Sequence, residues 1–145
     1  MKLTIRKMTE EDFEPLYLLL SDPQVMKYLE PPFSKEQTQD FLNNCGLCEP
    51  PRVYAVDDQD GFAGYVIFHD YDETSLEVGW VLYPKHWGKG YASELTEQLI
   101  TKGKNLHKQL VIECDPDQKV TEHIALKHGF TFEGTENHLS VFRKK

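Results

Sequence analysis

The sequence predicts an α/β domain of the α+β kind, a mixed and mostly antiparallel central sheet with helices on both faces. Three observations carry that expectation. Runs rich in β-branched and aromatic residues alternate with polar turns between positions 52 and 83. After Pro84 the apolar spacing switches to a helical period, and it returns to short apolar runs near Leu110. With 145 residues, 39% of them hydrophobic, the chain can bury a full core without staples, so residues 1–145 are expected to form one domain.

The elements follow in order. Leu3, Ile5 and Lys7 alternate with Lys2, Thr4 and Arg6, the pattern of a half-buried first strand. Thr9 can cap a helix whose first turn is acidic, Glu10-Glu11-Asp12, and whose apolar residues Phe13, Leu16, Tyr17 and Leu20 recur at helical spacing. Ser21-Asp22-Pro23 ends that helix and opens a short one with Val25, Met26, Tyr28 and Leu29, until Pro31-Pro32 breaks it. Ser34 and Gln37 form a capping box for a helix that buries Phe41 and Leu42 and fades near Asn43-Asn44.

Arg52 to Val56 and Phe62 to Phe68 flank a polar, Gly61-containing turn and should pair as an antiparallel hairpin. Leu76 to Tyr83 continues the meander. Ala92, Leu95, Thr96, Leu99 and Gly103 then share one helical face. Leu110 to Cys114 is a short apolar strand, and Val120 to His128 a last helix closed by Gly129. Phe130 to Gly134 and Leu139 to Arg143 complete the sheet as a final pair.

A net charge of -8 argues against a nucleic-acid binder, because phosphate neutralisation needs clustered Lys and Arg. The same field favours a basic or amine-bearing substrate. Three cysteines cannot all pair within one chain, and no stretch approaches the roughly 20 apolar residues of a membrane-spanning helix. The N-terminal residues lack the apolar core of a signal peptide. The expectation is a cytoplasmic protein that binds neither nucleic acid nor membrane, as a monomer or homodimer.

The segment Trp87-Gly88-Lys89-Gly90-Tyr91-Ala92 sits between a strand and the best helix of the chain. Glycines at such a turn let the backbone approach a phosphate, and the free N–H groups of the first helical turn point at it with the positive end of the dipole. Ser93 can add a hydroxyl donor and Lys89 a steering charge. The same glycines could equally meet only the steric demands of a tight connection. The Gly-x-x-x-x-Gly-Lys-Ser/Thr spacing of nucleotide-binding P-loops is absent.

Four pieces together resemble the GNAT superfamily of N-acetyltransferases, and most nearly its RimJ/RimL ribosomal-protein branch. They are Ser21-Asp22-Pro23-Gln24-Val25-Met26-Lys27-Tyr28-Leu29, Glu77-Val78-Gly79-Trp80-Val81-Leu82, Trp87-Gly88-Lys89-Gly90-Tyr91-Ala92-Ser93-Glu94 and Lys127-His128-Gly129-Phe130. The resemblance implies a cleft between two splayed parallel strands that holds acetyl-CoA as acetyl donor. It implies that backbone N–H groups from Trp87 to Ala92 hold the pyrophosphate, with Trp87 at the pattern's Gln/Arg position. Val81 and Leu82 would pair their backbone with the pantetheine arm, as an added strand pairs with a sheet edge.

The implied reaction is acetyl transfer to a primary amine, a peptide N-terminus or a small molecule, by direct attack in a ternary complex. Glu77 falls where the resemblance places an acid that draws the amine's proton through water; it could instead be a structural carboxylate. A backbone N–H near Val81 or Leu82 would polarise the carbonyl. The Tyr that many members use to protonate the leaving thiolate is replaced by Ala125. The branch's Asn-x-x-Ser becomes Gln118 and Thr121, which keep an amide toward the cofactor and a hydroxyl toward the thiolate, although Thr121 could simply cap its helix. The missing Tyr keeps an alternative open, a weakly active or inactive acetyl-CoA sensor or partner-binding module.

Specificity in the superfamily comes from the first helices and the final hairpin, which nominates Tyr28, Phe33, Tyr71 and His138 as substrate-binding candidates. The histidines at 69, 86, 107, 123, 128 and 138 read mostly as solvated, and no metal is expected. Cys45 and Cys48 have the spacing of a redox or zinc pair but lack a second pair. Cys114 reads as core filling near the cofactor sulfur.

Overall fold

Residues 2–145 are described by a computed structural model; Met1, the first residue of the expected domain, lies outside the described residues. The strands are β1 (Thr4–Arg6), β2 (Val53–Asp58), β3 (Gly61–Asp70), β4 (Ser75–Leu82), β5 (Gln109–Cys114), β6 (Thr131–Glu136) and β7 (Leu139–Lys144). The helices are α1 (Phe13–Leu20), α2 (Pro23–Met26), α3 (Lys35–Phe41), α4 (Tyr91–Asn105) and α5 (Lys119–Lys127). All seven strands join one sheet in the order β1-β2-β3-β4-β5-β7-β6. Among the described residues only the β4–β5 pair is parallel.

Local sequence accounts for most boundaries. Asp22 caps α2 by accepting the Gln24 N–H at 2.8 Å, ahead of Pro23 at the first helical position. The Ser34–Gln37 capping box of α3 makes both of its bonds, at 2.8 and 3.1 Å. That segment does not fade at Asn43-Asn44. It winds on as a π-helical turn, Leu42–Gly46, which keeps Leu42 fully buried.

Ahead of α1 the chain makes a 3₁₀ turn, Glu10–Asp12, and Asp12 accepts the Thr9 N–H at 2.8 Å. Arg6 bridges Asp12 and Asp57 at 2.8 and 2.7 Å, tying β1 to β2 and to the start of α1. β1 ends at Arg6, so Lys7 is exposed and Met8 takes the inward position.

Two cores lie on opposite faces of the sheet. Leu95 and Leu99 of α4 and Ala125 of α5 pack on Leu76, Val78, Leu110 and Ile112. Leu16, Leu19 and Leu20 of α1 pack with Val53, Ala55, Tyr65 and Val81 on the other face. The Tyr83 hydroxyl donates to Pro15 O, fastening α1 to the end of β4. In the final hairpin β7 stands beside β5 and β6 takes the edge, because β7 carries the buried Val141 and Phe142 while β6 is exposed along nearly its whole length.

The parallel pairing is short. β4 and β5 are in register only from Ser75↔Gln109 to Glu77↔Val111. Beyond Glu77 the two strands part, and the β4 edge from Val78 to Leu82 has no strand partner on the β5 side. That gap is the mouth of a cleft.

Candidate functional site

The cleft has a volume of ≈ 650 Å³ and lies beside the starts of α4 and α5. Its walls bring together Tyr28 and Leu29 after α2, Val81 and Leu82 of β4, the turn before α4, and the start of α5. Gln24 and Ile124, 100 positions apart in sequence, thus line one space beside the point where β4 and β5 separate.

The turn is held by its own geometry. Gly88 and Gly90 have φ of 72° and 85°, the left-handed region that other L-residues enter at a cost of roughly 1–2 kcal/mol. The first intrahelical bond of α4 runs from Glu94 N–H to Gly90 O at 3.1 Å. The N–H groups of Tyr91, Ala92 and Ser93 therefore have no helical acceptor and are free for an anion. Trp87 contributes differently. Its backbone N–H donates to Pro84 O at 3.0 Å, and its indole Nε1 donates to Leu82 O at 3.0 Å, pinning the turn to the end of β4. Lys27 and Lys119 line the cleft, and Lys89 is exposed on the turn, so the surroundings are locally cationic in a chain of net charge -8.

On the α5 side, Gln118 Oε1 accepts the Asp115 N–H at 2.9 Å, which leaves the amide nitrogen to face other partners. Gln118 is itself the N-cap residue of α5, so Thr121 lies at the third helical position and is not the cap. Both line the cleft. Ala125 is fully buried in the core beneath.

Glu77 lies at the point where β4 and β5 part, opposite His69 on β3 and Val111 on β5. Its Oε1 is 3.6 Å from His69 Nε2, which is 3.4 Å from Arg52 Nη2. Burial pushes the Glu77 carboxyl above the usual carboxylate range, opposed by the charge of His69 and assisted by that of Glu113. Tyr71 donates its hydroxyl to Glu113 Oε2 at 2.9 Å, and that bond, with burial, raises the phenol to about 12.

The substrate-side candidates do not converge. Tyr28 faces the cleft. Tyr71 lines a separate hollow of ≈ 400 Å³ beside β6 and β7. Phe33 packs edge-on against Phe41 at 6.2 Å in the α1–α3 core. His138 is exposed in the β6–β7 turn with φ of 68°.

One residue of the cleft wall and one beneath it escaped sequence reasoning. His86 is not solvated: it is 9% exposed, and its ring stacks on Tyr91. Asp58, from the end of β2, accepts the Tyr91 hydroxyl at 2.8 Å. The Pro-Lys-His run ahead of the glycines was the available signal for His86; nothing local marks Asp58.

Residues 2–131 match the acetyltransferase (GNAT) domain family. The chain belongs to that family. It is an acetyl-CoA-dependent N-acetyltransferase, and its sheet holds a parallel pair, β4–β5. Among its relatives is the uncharacterized N-acetyltransferase YnaD of Bacillus subtilis, 32% identical over an alignment of 139 residues that covers 92% of this chain and 81% of YnaD. A solved GNAT-family acetyltransferase from Bacillus anthracis is 28% identical with a TM-score of 0.85, covering 99% of this chain and 93% of that one. A RimL ribosomal α-N-protein acetyltransferase in complex with coenzyme A shares the fold at 20% identity, with a TM-score of 0.84 and coverage of 99% and 94%. No helix among the described residues of the acetyltransferase is long and apolar enough to cross a membrane.

Proposed function

We propose that the enzyme acetylates a primary amine, a peptide N-terminus or a small molecule, by direct attack within a ternary complex. The observation that supports this most is the position of a half-buried carboxylate, Glu77, at the last β4–β5 pair, three residues along β4 from the cleft-lining Trp80. Acetyl-CoA supplies an acetyl group already activated as a thioester. The protein's part is to hold the donor, orient the amine and move protons.

In this reading the free N–H groups of the Gly88–Ser93 turn carry the pyrophosphate. The unpaired β4 edge at Val81 and Leu82 carries the pantetheine arm, and a backbone N–H there polarises the carbonyl. The Gln118 amide adds a contact to the arm. Glu77 takes a proton from the substrate ammonium through water, leaving the neutral amine to attack the thioester; burial raises its affinity for that proton, which suits a base working near neutral pH. Thr121 donates its hydroxyl toward the departing sulfur in place of the Tyr that Ala125 replaces. Tyr28 is the substrate candidate with a place on the cleft wall. The free thiols of Cys45, Cys48 and Cys114 fit a reducing cytoplasm.

Ala125 supports a second reading, a donor-binding sensor without turnover, because no tyrosine hydroxyl can come from that position. A panel of primary amines with acetyl-CoA, read by free-thiol release, separates the two. Release with any amine class, reduced in Glu77→Gln, supports catalysis; donor binding without release from any amine supports the sensor.

A further inference from the structure

Beneath the phosphate-facing turn lies a group of side chains that the proposed chemistry does not use. The Asp58 side chain is 3% exposed, and its Oδ2 accepts the Tyr91 hydroxyl at 2.8 Å and lies 3.7 Å from His86 Nε2. Its Oδ1 accepts the Asp60 N–H at 2.8 Å. The His86 ring stacks on that of Tyr91, with centroids 4.7 Å apart and planes 13° from parallel. His86 also forms part of the cleft wall, beside Trp87, Gly88 and Gly90.

A buried carboxylate this close to an anion site works against the anion, since like charges repel more strongly out of water. The arrangement becomes favourable if a cation stands among them. His86 is the titratable group in that place. The other charged groups that act on it are Asp58 and Asp60 from the β2–β3 hairpin, and Lys85 and Lys89 from its own loop. Without a ligand, burial lowers the imidazole's proton affinity and Asp58 opposes the fall. A pyrophosphate in the turn adds negative charge beside the same ring.

We propose that His86 takes up a proton when the donor's pyrophosphate seats in the Gly88–Ser93 turn, so that an imidazolium links that anion to Asp58. This rests on the reading of the turn as the pyrophosphate site. The proton comes from solvent and returns to it when the ligand leaves. Binding is then linked to pH: affinity is greatest in acid and falls as pH rises through the window between the free and bound proton affinities of His86, by at most about tenfold per pH unit.

The probe is dephospho-CoA, which keeps the pyrophosphate and lacks the terminal phosphate that would titrate nearby. Isothermal calorimetry of the full chain in two buffers of different ionisation enthalpy, from about pH 5.5 to about pH 8, a span that brackets the lowered proton affinity of the free imidazole and its ordinary value, counts protons directly. The wild type should take up a fraction of a proton per ligand, and Kd should weaken several-fold across that span. His86→Gln should bind with no uptake and a flat Kd. Asp58→Asn keeps an oxygen for the Tyr91 hydroxyl but removes the charge, and should reduce the uptake; it also serves if His86→Gln does not melt cooperatively. No uptake by the wild type, or equal uptake by all three proteins, overturns the proposal while leaving the donor site standing. No binding of dephospho-CoA or CoA at all overturns both.

Discussion

At the open end of the β4–β5 splay, polar groups are left without protein partners: the N–H groups of Tyr91, Ala92 and Ser93 have no helical acceptor, and the β4 edge beyond Glu77 has no strand beside it. At the closed end the polar groups have found one another. Glu77 is beside His69, His69 beside Arg52, and Tyr71 is bonded to Glu113. In the proposed reading the open end holds the donor, and it is preorganised by the backbone, which costs no rearrangement when an anion arrives. The closed end, the proposed acceptor side, is set by side chains, which a substrate would have to join or displace. A donor common to the family can be held by a local motif, whereas an acceptor particular to one enzyme is selected by groups drawn from several strands.

The largest expected effect breaks the donor end. Gly90→Val puts a β-branched residue at φ of 85°, in a region that such residues essentially avoid. The turn must rearrange, and the N–H groups lose their common aim. Hydrogen bonds to a charged partner contribute about 1.5–3 kcal/mol each, so affinity for CoA should fall by about a hundredfold or more. Calorimetry reads the Kd, and a thermal melt separates that loss from unfolding. Unchanged affinity in a folded variant would mean that the glycines serve only the bend.

Glu77→Gln breaks the acceptor end and should leave the donor end alone. With a general base removed, kcat/KM for the amine should fall about 10²- to 10⁴-fold, with the CoA Kd unchanged. The same variant tests the pKa shift by stability. The folded state binds the Glu77 proton more tightly than the unfolded chain, so ionising this carboxyl destabilises the fold as pH rises, and the full cost is present above the folded-state pKa. At neutral pH the amide should therefore melt at or above the wild-type temperature. A fall in melting temperature together with lost activity would assign Glu77 a structural role.

Thr121→Ala should act less strongly, lowering kcat by about tenfold if the hydroxyl assists departure of the sulfur. The helix should be unaffected, because Gln118 holds the cap position. Thr121→Val, which keeps the branched shape, should match the alanine variant in rate; recovery by valine would reduce the residue to packing.

The same contrast governs what could be seen in the sequence. The donor turn was legible because its requirement is local: two left-handed residues, a strand before them and a helix after them fall within a dozen positions. Meander, hairpins and helix faces were legible for the same reason, through periods of two and 3.6. Asp58 was not, since it meets Tyr91 across 33 positions of chain, and spacing carries no signal over that distance. Nor did alternation expose the Arg6–Asp12–Asp57 bridges that fix β1. The acceptor candidates were named by residue type, and type alone could not tell a cleft aromatic, Tyr28, from a core one, Phe33. The strand exchange at the sheet edge was written more faintly, in the polar character of Thr131–Glu136 against Val141-Phe142.

The smallest effect belongs to His69, and it asks whether the closed end tunes the base or merely fills space. His69 pulls the Glu77 proton affinity down against the stronger effect of burial, and Arg52 adds to that pull. His69→Gln keeps a polar side chain of similar reach and removes the imidazole. The Glu77 carboxyl should then rise further, so the acidic limb of the kcat/KM profile should move to higher pH, with a loss of a few-fold near about pH 6 and little loss above about pH 8. The amine's own ionisation shapes that limb too, but it is the same for both proteins and cancels in their ratio. A ratio that does not change with pH would mean that His69 acts on the position of Glu77 and not on its charge.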